Sequence, residues 1–353
     1  LRCTIDTKAD YNRIQRLFKG CRNPEKVSWL DLQKLAKLPG EPLFRVPFSV
    51  KKGVVHSSMT LGTVQLGLAY GVANKKGMPL EKQAAKIIHE AIKHGVVTID
   101  TAMAYGEAEK RIGKALEGGL ASQVRVITKL APNCTTAADV EASIHASCRN
   151  LVQKKLHTVL LHRWGMHKYS KAWEPLVDFM KAGVVQNIGV SVQNPEELME
   201  ALQEKVVSHI QLPFNILDWR WREPNVQKAI QTRPDVIIHV RSVLLQGLLI
   251  SPARIWPVIH GFNNRATIKM LDKFAKSFKR KNITDLCIAY VRAQSWITSL
   301  VIGLETIAQL KENMELFLKP KLTPEQCEII HKGFDQNIPI ELLDPSQWAN
   351  REK

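Results

Sequence analysis

No two of the six cysteines stand close enough in sequence to pair as CxxC: Cys3, Cys21, Cys134, Cys148, Cys287 and Cys327 are scattered over 353 residues. That spacing excludes a compact zinc module and a disulfide framework, and it fits reduced thiols, so the cytoplasm is the expected compartment. No apolar run approaches the roughly 20 residues of a membrane span, and the start, Leu1-Arg-Cys-Thr, has no apolar signal-peptide core. Position 1 also lacks Met, from which the chain is expected to be part of something longer. Acidic residues are in deficit, 33 against 50 Lys and Arg, which leaves a net charge of +17. Residues 1–52 hold 12 Lys or Arg against 5 Asp or Glu and so carry a large share of the surplus. No zinc-finger spacing, RNA-binding aromatic signature or long basic run accompanies it. The surplus therefore reads as a basic solvated surface that suits phosphorylated small molecules, with neither nucleic acid nor membrane as a partner.

What is present is enough apolar material for a sizeable core, 45% hydrophobic residues with 24% charged. From about residue 59, short runs rich in Val, Ile and Leu alternate with amphipathic stretches. The runs are 59–66, 96–102, 123–130, 157–162, 185–192, 209–215, 235–243 and 297–303, and they read as eight strands buried on both faces. The stretches 80–94, 137–151, 194–204, 267–281 and 306–317 read as helices, with capping residues such as Thr136 and Asn194 at their starts. Eight βα units over some 260 residues predict an α/β fold, a (β/α)8 TIM barrel. A doubly wound sheet would require a GxGxxG turn after its first strand, and Gly62, Gly67 and Gly71 have the wrong spacing. Residues 1–42 are expected to form an extension plus linker ahead of a barrel over 43–353, with the segment 43–55 pairing as short strands at the barrel bottom. Pro39-Gly-Glu-Pro42 supplies the linker.

In such a barrel, the C-terminal ends of the strands face the active site. The polar residues there are Asp100, Lys129, His162, Ser191, Gln211, Arg241 and Ser242. Residues 99–116, IDTAMAYGEAEKRIGKAL, resemble the signature of the aldo-keto reductases, and Lys129 and His162 follow in that family's order. The resemblance runs from about Met59 to Phe317. It includes Leu61-Gly-Thr63, Gly189-Val-Ser191, Gln246-Gly-Leu-Leu249 and Glu312-Asn313. It implies a reductase that uses NADPH or NADH to convert an aldehyde or ketone, a small-molecule carbonyl, to an alcohol. A cofactor-binding barrel that serves as a regulatory or partner-binding subunit is the alternative.

The chemistry matches the residue types. A phenol is a poor acid at neutral pH. Lys129 beside Tyr105 would favour phenolate, and Asp100 would keep the lysine charged and fixed. His162 would donate to the carbonyl oxygen as charge develops there. The resemblance further implies cofactor contacts from Gly62, Thr63, Asp100, Ser191, Gln211, Arg241, Ser242, Gly303, Gln309 and Asn313. Tyr105, His162 and Trp164 would meet the substrate, Trp164 either walling the pocket or capping the barrel. Arg241 takes a place where many relatives stack an aromatic ring on the nicotinamide.

Two departures from the family pattern follow. Val192 stands where many relatives have Asn, and Gln193 is expected to compensate. Gly303 and Gln309 stand where NADPH-selective relatives place Lys and Arg, which predicts weak discrimination between the cofactors, with backbone N–H groups at the following helix start binding phosphate. His89 and His94 are five residues apart, about 140° round a helix, and cannot share a metal. The lysines of 269–281 read as the solvated face of a barrel helix.

Ahead of the barrel, Leu1–Asp10, Ile14–Phe18 and Val27–Leu35 resemble the C-terminal end of bacterial sugar cytidylyltransferases of the spore-coat-polysaccharide and acylneuraminate type. That resemblance implies a fused or linked cytidylyltransferase domain upstream. It also implies a sugar or sugar-nucleotide substrate within surface polysaccharide biosynthesis.

Overall fold

A computed structural model describes residues 46–51, 53–72, 74, 76–166, 172–334 and 338–350, with Gln15 alone ahead of them. The chain divides into two compact units, Leu1–Arg45 and Val46–Lys353. The expected boundary at residue 42, its linker and the cytidylyltransferase-like segment lie outside the described residues.

The second unit is the predicted barrel. Eight strands, β3 (Met59–Gly62), β4 (Thr98–Asp100), β5 (Arg125–Lys129), β6 (Leu156–Leu161), β7 (Val185–Ser191), β8 (His209–Pro213), β9 (Ile237–Arg241) and β10 (Ser299–Gly303), pair in parallel and in chain order. β10 closes the ring on β3 in the register Leu300 to Met59 through Gly303 to Gly62. The strands are almost wholly buried, as their unbroken apolar runs require.

A hairpin of β1 (Phe48–Lys51) and β2 (Val54–Ser57) precedes them. Lys51 Nζ donates to Val236 O ahead of β9, and the Arg125 guanidinium at the start of β5 donates to Val55 O. The hairpin thus lies across the N-terminal end of the barrel, within the 43–55 stretch expected there and two residues beyond it. Beside it, His56, His157, His209 and His239 gather at the same end. The rings of His209 and His239 stand edge to face at 4.4 Å.

The helices of eight or more residues among the described ones are α1 (Glu81–Lys93), α2 (Ala108–Ala115), α3 (Ala137–Asn150), α4 (Trp173–Lys181), α5 (Pro195–Gln203), α6 (Pro224–Thr232), α7 (Asn264–Ser277), α8 (Ile283–Ala293), α9 (Ile307–Leu318) and α10 (Pro324–Gly333). Thr136 and Asn194 cap α3 and α5 through their side-chain oxygens, as predicted. Helix α7 starts three residues earlier than its apolar pattern suggested because Asn263 caps it, and it ends before Lys279, whose φ is +53°. Its buried Leu271 and Phe274 face inward while Lys269, Lys273 and Lys276 are exposed, a solvated basic face. No helix among the described residues is long and apolar enough to cross a membrane.

Candidate active site

The strand ends converge on one cleft of about 800 Å³ at the C-terminal mouth of the barrel. Gly62, Asp100, Lys129, Ser191, Arg241 and Gly303 each end a strand, Gln211 lies within β8, and Thr63, His162 and Ser242 each follow a strand end directly. All of these line the cleft, as do Tyr105, Gln309 and Asn313. Trp164 does not. It is 4% exposed, tilted against Trp173 at 6.5 Å, and its indole N–H donates to Glu200 Oε2 at 2.5 Å. Its apolar bulk and single donor are satisfied between helices, which corrects its expected place against the substrate.

At the reacting end, Lys129 is buried and its ammonium donates to Asp100 Oδ1 at 2.8 Å, Asp100 Oδ2 at 3.0 Å and Thr101 O at 2.8 Å. Burial alone would push the ammonium toward its neutral form. The Asp100 carboxylate and the Tyr105 phenol outweigh burial and hold its pKa above the ordinary lysine value. Lys129 Nζ lies 5.0 Å from the centre of the Tyr105 ring, and the imidazole of His162 meets that ring edge to face at 6.1 Å. Burial, then the charges of Lys129, Arg163 and Arg241, lower the His162 pKa to about 4. At neutral pH His162 is therefore an uncharged ring with one N–H.

This arrangement is braced from behind by residues that the sequence alone did not single out. Glu109, 2% exposed on α2, accepts from Thr128 Oγ1 at 2.6 Å, Ser147 Oγ at 2.8 Å and Asn150 Nδ2 at 3.0 Å. It ties α2 and the Tyr105 turn to β5 and α3. The available signal was an acidic residue three positions before Ile112, on the apolar stripe of its helix. Thr63 Oγ1, expected at the cofactor, donates to Asp100 O at 2.8 Å and so braces β4, while its lone pairs remain free to accept. Gly67 packs so tightly on the Tyr105 turn that a Cβ there would lie 1.9 Å from Tyr105 O.

Along the wall, Gln211 Nε2 donates to Asp100 Oδ1 at 2.7 Å. Arg241 donates to Gln193 Oε1 at 2.7 Å and Val192 O at 3.3 Å, and Gln193 Nε2 reaches Asp344 Oδ1 at 3.3 Å. The Gln193 amide thus links Arg241 to the C-terminal segment along the cleft wall. Tyr70, also missed in the sequence, accepts from Gln246 Nε2 at 2.8 Å and links two loops at the mouth. The loop after β9 holds Ser242, Leu245 and Gln246 at positive φ, local strain of the kind that collects at functional sites.

At the far end, the start of α9 carries its own cap. Gln309 Oε1 accepts from Glu305 N and Thr306 N, and Gln309 N donates to Thr306 Oγ1. Of the N–H groups expected to bind phosphate, that of Gln309 is satisfied within the chain, as are those of Glu305 and Thr306 just ahead of the helix. Gly303 lies under the Gln65 amide, which any side chain at 303 would have to displace.

Polar atoms of Gln211 (Oε1), His162 (Nδ1), Gln65 (Oε1) and Asn313 (Oδ1) are shielded from solvent without a hydrogen-bond partner, and all four residues line the cleft. Such orphaned groups strung from one end to the other fit a long ligand rich in donors and acceptors. A nicotinamide dinucleotide meets that description.

A closed eight-stranded parallel barrel with a buried Asp–Lys pair, a tyrosine and a neutral histidine at its mouth defines an oxidoreductase-type barrel. Residues 58–333 match the model of the Aldo/keto reductase family, and the chain belongs to that family. It is similar to "Probable aryl-alcohol dehydrogenase AAD4" of Saccharomyces cerevisiae, 25% identical over 318 residues that cover 75% of this chain and 93% of the yeast protein. It is also similar to the aldo-keto reductase YhdN of Bacillus subtilis, 24% identical over 297 residues, 75% of this chain and 86% of that one. Among solved structures, the holo form of the aldo-keto reductase AKR11C1 from Bacillus halodurans superposes with a TM-score of 0.68 at 21% identity. That match covers 85% of this chain and all of the other.

Proposed function

We propose that the protein reduces an aldehyde or ketone to an alcohol with NADH or NADPH, using Tyr105 as the proton donor. The observation that carries this reading is the buried Lys129, held by Asp100 and set against the Tyr105 ring within the cleft. When bound, the dinucleotide supplies hydride to the carbonyl carbon. Tyr105 protonates the carbonyl oxygen as negative charge builds on it, and the Lys129 ammonium stabilises the phenolate left behind. Asp100 keeps that ammonium charged and oriented. His162, neutral by burial and by its cationic neighbours, donates its N–H to the same oxygen and fixes the carbonyl. Ser191 and Gln211 are assigned to the nicotinamide carboxamide, with the unpartnered Gln211 Oε1 as the acceptor.

A sugar or sugar-nucleotide carbonyl has its support only in the resemblance of residues 1 to about 40. The cytoplasm is assigned on the free thiols of Cys134, Cys148, Cys287 and Cys327. The test is cofactor oxidation by the purified protein across a panel of aromatic, aliphatic and sugar aldehydes. Turnover with at least one class is expected, and cofactor binding without turnover across the panel would contradict the reading.

A further inference from the structure

Resting on the reductase reading, the geometry of the cleft also separates the two cofactors. The nicotinamide must lie beside Tyr105 and His162 for hydride to reach the carbonyl, which leaves the adenosine for the opposite end, around Gly303, Glu305, Gln309, Glu312 and Asn313. The lining is electrically polarised along that axis. Its cations, Lys129, Arg163 and Arg241, all act on His162 at the reacting end. The adenosine end has the carboxylates of Glu305 and Glu312 and, among the described residues, no Lys or Arg in its lining.

The two carboxylates differ. Glu312 is paired at 3.3 Å with Lys281 of the neighbouring loop. Glu305 Oε2 accepts from the neutral Gln309 Nε2 at 2.8 Å, and Gln309 is itself locked by the backbone of Glu305 and Thr306. The lock holds the Glu305 carboxylate at the start of α9 and occupies the N–H groups of Glu305, Thr306 and Gln309.

We propose that this end selects NADH over NADPH, and that Glu305 sets the preference. The 2′-phosphate of NADPH adds about −1.5 to −2 charge. Brought to this end it faces the Glu305 carboxylate, with no Lys or Arg among the described lining residues and the nearby Lys281 already held by Glu312. The 2′-hydroxyl of NADH is uncharged and can donate to a carboxylate. The weak discrimination expected from the absence of Lys and Arg at positions 303 and 309 becomes, with the charge of Glu305 counted, a preference of definite sign.

Titration of the full chain with each reduced cofactor, followed by nicotinamide fluorescence and without any carbonyl substrate, tests this. In low salt, NADH is expected to bind about tenfold or more tightly than NADPH, a gap of ~1.4 kcal/mol. Added salt should narrow the gap, because the Glu305 charge is partly solvated. Glu305→Gln should remove most of it by strengthening NADPH binding, and Glu305→Lys should reverse it. Equal or tighter NADPH binding by the wild type overturns the proposal, and so does an NADH preference that Glu305→Gln leaves unchanged. Failure of both cofactors to bind would overturn the reductase reading itself, and this proposal with it.

Discussion

Lys129 is the residue on which the site's electrostatics turn. Its ammonium makes three hydrogen bonds, two of them to one carboxylate, in a place shielded from water. Lys129→Met would remove the cation and leave Asp100 buried with only Gln211 as a donor. We expect a stability loss of about 3–5 kcal/mol, the usual cost of breaking a buried pair, measured by denaturant unfolding, together with loss of turnover. Restoring most of the lost stability with Asp100→Asn in the same chain would show that the cost is the stranded charge. That Asp100, Lys129 and His162 would meet at the barrel mouth was legible because polar residues at or just past strand ends stand out from apolar strands, and Tyr105 was legible only through the resemblance of residues 99–116 to the family signature. The commitment of Thr63 to Asp100 and the withdrawal of Trp164 from the pocket were not legible. Both depend on which way a side chain points after a strand, and spacing does not encode that.

Among the elements, α2 carries the Tyr105 turn, and Glu109 is what seats it. Glu109→Ala would leave Thr128, Ser147 and Asn150 without their acceptor. Each buried polar group so stranded costs about 1–3 kcal/mol, partly relieved by repacking. Thermal unfolding should show the loss, and kcat should fall more than KM rises, since the proton donor shifts while the cofactor wall stays. Unchanged kcat in a destabilised Glu109→Ala protein would limit Glu109 to a structural part. The strands and helices themselves were readable because strands buried on both faces must be continuous apolar runs, and helix starts need a capping oxygen. Glu109 was hidden because a lone carboxylate on an amphipathic helix ordinarily faces water, and its three partners come from strand and helix positions 19 to 41 residues away.

For the whole molecule, the barrel's two ends have opposite chemistry. The N-terminal end holds four histidines kept neutral, first by burial and then by one another and by Arg125 or Lys51 nearby. His56 and His157 are lowered to about 4, His209 to about 3, and His239 well below its ordinary value. Because these pKa values are depressed in the fold, the unfolded chain takes up protons first as pH falls below about 6.5. Stability should therefore be full above neutrality and decline steadily from about pH 6.5 toward pH 4. Denaturation midpoints measured across that range should show the decline, and His209→Gln should flatten it. A midpoint independent of pH between 6.5 and 4.5 would contradict this account of the barrel floor. The cluster was invisible in the sequence because its members come from β2, β6, β8 and β9 and meet only when the barrel closes.

The claim that unites these scales is that Tyr105, activated by Lys129, delivers the proton that completes carbonyl reduction. The most direct measurement is kcat for one accepted aldehyde in the wild type and in Tyr105→Phe, alongside the cofactor dissociation constant of each. The account predicts a fall in kcat of about 10²- to 10⁴-fold with cofactor binding essentially unchanged. A Tyr105→Phe protein that turns over like the wild type would contradict it.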